Sequence, residues 1–187
     1  MKPTFAAAMA LAALLAACDS GPDVDMKNAS VGDVAKEMRK QGEDRFVDPG
    51  KWQQTVTLLD IEAPGMPAQA KDAMRKAMGQ SQVHEVCLSP EEAKSPREDF
   101  FTGKDNNCRY EHFKWGDGKI DLAMVCTHPN ATQTMALTGE YEPKSYTMSM
   151  TTTNEGRTAM EKMTMRMKVD ARRVGECDAG AATKVAQ

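Results

Sequence analysis

The second half of this chain alternates. Ile120, Leu122, Met124 and Cys126 recur at every second position, Met148 and Met150 flank Ser149, and Met163, Met165, Met167 and Val169 interleave with Thr164, Arg166 and Lys168. Successive side chains of an extended strand point to opposite faces, so this period requires a sheet with one dry face and one wet face. The strand-like segments 108–115, 119–126, 131–141, 145–153 and a last one ending near Val174 are joined by Gly116-Asp117-Gly118, His128-Pro129-Asn130, Glu142-Pro143-Lys144 and Asn154-Glu155-Gly156. Such connections are too short for the crossovers that parallel strands need, so the segments predict an antiparallel meander.

Two earlier segments add to it. Residues 52–61 follow the turn signal Asp48-Pro49-Gly50 and are rich in β-branched or aromatic side chains, and a short strand is expected over residues 83–88. The expected fold is mainly β (α+β): a curved antiparallel meander sheet or incomplete barrel of about six to seven strands. One helix is expected to cover its dry face. It has Pro67 in its first turn and an apolar stripe of Ala70, Ala73, Met74, Ala77 and Met78 ahead of Gly79. A short N-terminal helix capped by Ser30 carries Val31, Val34, Ala35 and Met38, and Ser89-Pro90-Glu91-Glu92 starts a brief one ending near Lys94.

The N-terminus sets the compartment. An apolar run over residues 5–15 follows the single charge at Lys2 and ends in Leu15-Ala16-Ala17-Cys18. It is too short to span a bilayer and is similar to the signal of a bacterial lipoprotein, in which the cysteine is acylated and becomes the first mature residue. This divides the chain into a signal (1–17), an acylated tether with a short helix (18–48, flexible over 19–30), a β domain (49–177) and a disordered tail (178–187). The body is expected in the cell envelope, anchored to the membrane through Cys18 and facing the periplasm, with inner and outer membrane both open. A formal net charge of −3 without clustered basic residues argues against nucleic acid as a partner.

With Cys18 assigned to lipid, Cys87, Cys108, Cys126 and Cys177 remain. In an oxidising compartment an even set reads as two disulfides, with three connectivities. If Gly116-Asp117-Gly118 is a three-residue loop, Cys108 stands opposite Cys126, which leaves Cys87 for Cys177. No CxxC spacing points to thiol exchange. The 15 methionines invite two further readings. Met124, Met148, Met150, Met163, Met165 and Met167 can line a core or an adaptable apolar pocket, or the thioethers of Met163, Met165 and Met167 beside Met148 and Met150 can hold Cu(I) in a copper-binding protein. His112 and His128, near Cys108 and Cys126, suit zinc while the thiols stay reduced, which the compartment opposes. No GxSxG, HExxH, phosphate-loop or EF-hand pattern is present, and Glu91-Glu92 and Glu98-Asp99 read as a helix start and a solvated loop. The sequence therefore predicts no catalytic residue, metal or cofactor. It predicts a non-catalytic protein that binds an apolar ligand or an envelope protein, or serves structurally.

Pro49-Gly50-Lys51-Trp52, Met66-Pro67, Cys87-Leu88-Ser89-Pro90-Glu91-Glu92, Cys108, Cys126, Ser145-Tyr146 and Arg172-Arg173-Val174-Gly175-Glu176-Cys177 occur in this order. Over about residues 49–177 the pattern resembles the bacterial domain-of-unknown-function 3617 family of small exported proteins. The resemblance implies an exported, cysteine-stapled domain and supplies no catalytic residue.

Overall fold

The computed structural model describes residues 24–40, 47–78, 81–94 and 107–178. Cys18 and the run before it, Gly79, Glu98-Asp99 and the expected tail after Asp178 lie outside the described residues. In chain order the elements are β1 (Val24–Ser30), α1 (Val31–Lys40), β2 (Gly50–Glu62), α2 (Ala68–Met78), β3 (Gln82–Leu88), α3 (Pro90–Lys94), β4 (Cys108–Gly116), β5 (Lys119–His128), β6 (Ala131–Glu142), β7 (Ser145–Glu155) and β8 (Met163–Gly175), with a 3-10 turn at Ala159–Glu161 before β8.

The alternating half folds as its period requires, β4 to β8 forming a continuous antiparallel meander. The full sheet runs β1-β4-β5-β6-β7-β8-β2-β3 and stays open, with β1 and β3 at its edges. Eight strands replace the expected six to seven because Val24–Ser30, expected in the flexible tether, pairs with β4. Its period is broken, which hid it. Val24 enters the core, Asn28 takes a φ of 51°, and the phase then shifts so that Ala29 is buried. A bulge between Tyr110 and His112 shifts β4 at the same level, leaving both Tyr110 and Phe113 buried. Arg109 donates to the carbonyl of Asn28 across the two irregularities.

The β4–β5 turn also departs from expectation. Gly116 pairs with Lys119, so the loop has two residues, and Asp117 and Gly118 take φ values of 48° and 71° as the tight hairpin turn demands. That register alone would offset the cysteines by one position. The bulge restores it, and Cys108 stands opposite Cys126.

The helix over the core is α1, not α2. The Ser30 hydroxyl accepts from the Asp33 amide at 3.1 Å and donates to the Asp33 carboxylate at 2.6 Å, which caps the first turn and holds that carboxyl below its usual pKa. Val34 and Ala35 are buried, and α1 packs on β1 and β4. By contrast Ala70, Ala73 and Ala77 of α2 are exposed and Met74 is half-buried. An alanine stripe offers one methyl per residue, too little to draw the helix across the sheet. Arg75 instead ties α2 to the end of β2, donating to the carbonyl of Ile61 at 3.3 Å and to Asp60 at 3.4 Å.

Candidate functional site

The strand registers carry the dry face across the sheet in rows. One row is Ile120, Gly139, Met148, Val169 and Val56; the next is Leu122, Leu137, Met150, Met167 and Leu58; a third is Met124, Met135, Thr152, Met165 and Ile61. Burial falls along the first two, whereas the third ends in buried Ile61. Leu122 is 1% exposed and Leu137 5%, whereas Met150, Met167 and Leu58 are half-buried. Val169 and Val56 are likewise half-buried at the end of a row that begins with buried Ile120. The β4–β6 side is therefore closed core, and the half-open part is the middle of β7, β8 and β2 around Met150, Met167, Val169, Val56 and Leu58, between buried Trp52 and Ala171 at one end and buried Ile61 at the other.

The six methionines singled out in the sequence divide between these regions. Met124 and Met148 are core, at 3% and 7% exposure; Met150, Met163, Met165 and Met167 are half-buried on the open side. Met150 and Met167 stand directly opposite each other. Cross-strand neighbours on one face lie about 5 Å apart, so the band presents a continuous thioether and aliphatic surface with three flexible torsions per methionine.

One end of the band carries polar groups. Gln54 donates to the Tyr146 hydroxyl at 2.6 Å, and Trp52 packs on Tyr146 with ring centroids 5.5 Å apart. Burial pushes the Tyr146 hydroxyl up to about 12, against the opposing pull of Gln54. Sequence reading missed this pair. Its signal was present, because Gln54 shares strand parity with Trp52, Val56 and Leu58 and so sits on the apolar face.

Beyond that pair the start of β2 and the end of β8 are latched together. The carbonyl of Asp48 accepts from the Trp52 indole at 3.0 Å, Arg173 donates to the carbonyl of Pro49 at 2.7 Å, and the Asp48 amide donates to the carbonyl of Pro143 at 2.7 Å. Arg173 also pairs with Glu176. Gly50 has a φ of 137°, and a side chain there would meet the carbonyl oxygen of Gly175 and the Arg173 guanidinium. A disulfide joins Cys87 to Cys177, with Cα atoms 5.5 Å apart, and another joins Cys108 to Cys126 at 4.0 Å. Ser89 and Glu92 cap α3 reciprocally beside Cys87, each accepting the other's amide. The proline-glycine-tryptophan opening and the arginine-rich close are thus two halves of one fastening.

Other groups are dispersed. His112 lies 3.0 Å from Asp121, His84 is exposed, and Cys108 and Cys126 are bonded to each other, so the cysteine-histidine zinc set is not assembled. Among the described residues no three His, Cys, Asp or Glu side chains gather as a metal site. On the outer face Arg166 bridges Asp60 at 2.6 Å and Glu62 at 2.9 Å, an exposed network of small energetic weight. A cleft of about 470 Å³ between α2 and the end of β2 is lined by residues including Ile61, Ala63, Pro64, Lys71, Asp72 and Arg75 and by none of the six methionines.

The model of a family described as a protein of unknown function (DUF3617) matches residues 47–177, more than half of the chain. No curated protein and no solved structure matches.

Proposed function

The chain belongs to the DUF3617 family, and from that premise we propose that it is a non-catalytic cell-envelope lipoprotein, acylated at Cys18 and facing the periplasm, whose methionine band takes an apolar ligand. The observation that carries this reading is the burial gradient from Leu122 to Leu58: the same dry face that is sealed by α1 at one side is half-open over Met150, Met163, Met165 and Met167 at the other. Unbranched, polarisable side chains repack around ligands of irregular shape at little cost, which suits a flexible acyl chain. The run from Met163 to Val169 on β8 is about 20 Å long, the scale of such a chain. The leader before Cys18 supports the anchor.

Native mass spectrometry of the acyl-free domain purified from periplasm tests the reading. A retained lipid mass that disappears in the Met150→Asp variant supports it. Retained copper supports the thioether-metal alternative, and an empty domain that also fails to take up fatty acid removes the ligand from the proposal.

A further inference from the structure

The place where the chain enters the sheet decides how such a protein would stand on its membrane. β1 starts at Val24, which is 1% exposed and pairs with Trp115 next to the Asp117-Gly118 turn. The same end of the sheet holds the Pro143-Lys144 turn, whose Pro143 carbonyl accepts the Asp48 amide, and the start of β2 at Gly50. From Cys18 to Val24 are six residue steps, which span at most about 22 Å when fully extended. β5 runs away from this rim from Lys119 to His128, ten residues and about 30 Å, to the Pro129-Asn130 turn at the opposite end. A tether shorter than the strands cannot let the far end reach the lipid as readily as the near one.

We infer that the rim formed by Asp117-Gly118, Pro143-Lys144 and the start of β2 faces the bilayer, and that the Pro129-Asn130 end points away from it. The inference rests on acylation of Cys18. It also sets the Tyr146–Gln54 end of the methionine band nearest the lipid. Charge does not drive the contact: Asp25, Asp117, Glu140 and Glu142 stand among Lys114, Lys119 and Lys144 on this rim. Tether length does, so the orientation survives high salt.

The full acylated protein, reconstituted in phosphatidylcholine vesicles carrying a headgroup quencher, tests this. Fluorophores are attached through Asp117→azidophenylalanine or Lys144→azidophenylalanine at the near rim, and through Asn130→azidophenylalanine or Met160→azidophenylalanine at the far one. The expected result is quenching at Asp117 and Lys144 at least about threefold stronger than at Asn130 and Met160, given the separation of about 30 Å. Adding a flexible insert of about twenty residues after Asp19 should erase the difference, because the tether can then extend to about 90 Å, well beyond the length of the strands. Equal or reversed quenching in the protein with its native tether overturns the orientation while leaving the anchor standing. Failure to float with the vesicles overturns the anchor and the orientation together.

Discussion

Replacing Gly50 by alanine should unfasten the domain. The residue sits at a φ of 137°, and an added Cβ would lie 2.5 Å from the Gly175 carbonyl oxygen and 2.6 Å from Arg173 Nε. A side-chain-bearing residue held in that backbone region costs about 1–3 kcal/mol. Relief of the clash requires Arg173 to withdraw from the Pro49 carbonyl, and a hydrogen bond to a charged group contributes about 1.5–3 kcal/mol. The sum, about 2.5–6 kcal/mol, is a large share of the roughly 5–15 kcal/mol that holds a domain folded. With a urea slope of about 2 kcal/mol per molar, the midpoint should fall by about 2 M at unchanged slope. Urea unfolding followed by tryptophan fluorescence reads this directly, since Trp52 lies inside the latch. Gly32 is the control: it sits in α1 and an added Cβ would meet only the Ser30 hydroxyl, at 4.0 Å, so Gly32→Ala should leave the midpoint level or raise it. If Gly50→Ala shifts the midpoint no more than Gly32→Ala, the latch is not a stabilising element and the reasoning fails.

Other expectations can be measured with similar means. All three tyrosines, Tyr110, Tyr141 and Tyr146, are raised by burial, Tyr110 and Tyr146 to about 12; absorbance at alkaline pH should show no tyrosine ionising at its ordinary position before unfolding. Because the folded pKa values of Tyr110 and Tyr146 exceed the unfolded ones, their stabilisation is complete below about pH 10 and is lost as the pH rises through about 12, so urea midpoints should fall across that window. Met124→Ala, in closed core, should cost about 2–5 kcal/mol, whereas half-buried Met167→Ala should cost less and lose more lipid retention; the reverse ranking would place the open band on the wrong side. The Cys87–Cys177 bridge spans 90 residues and Cys108–Cys126 spans 18, so removing the first should destabilise by about 1.4 kcal/mol more than removing the second on chain-entropy grounds, as calorimetry of the two double-alanine variants would show.

The meander was legible because Ile120-x-Leu122-x-Met124 and Met163-x-Met165-x-Met167 announce which face is dry, and their turns are too short for any other connection. β1 was hidden because period-two reading assumes an unbroken phase, and Asn28 breaks it between Val24 and Ala29. The same limit applied to the Cys108 hairpin. A three-residue loop and no bulge bring the same two cysteines opposite each other as a two-residue loop with a bulge at Tyr110/His112, so the pairing could be read while the geometry behind it could not. α2 was placed over the sheet because alanines at helical spacing look apolar, yet what a helix covers depends on the area it can bury, and Arg75 found a better partner at the end of β2. The half-open band follows from sheet order. Nothing local in Met150 or Met167 tells that α1 packs on β1 and β4, at the other side of the sheet.

The position of β2 between β8 and β3 has a consequence for how the molecule is made. Lys51, among the earliest residues of the sheet to be synthesised, has Gly175 for its neighbour, and Val24 waits for Trp115. Ordering such distant partners incurs its loop-closure entropy before any contact repays it, so assembly is slow and starts from the hairpins of the C-terminal half. A chain complete only to the residue before Met163 can pair β2 with β3 and β1 with β4, but the β2–β3 hairpin joins the rest of the sheet only when β8 is present.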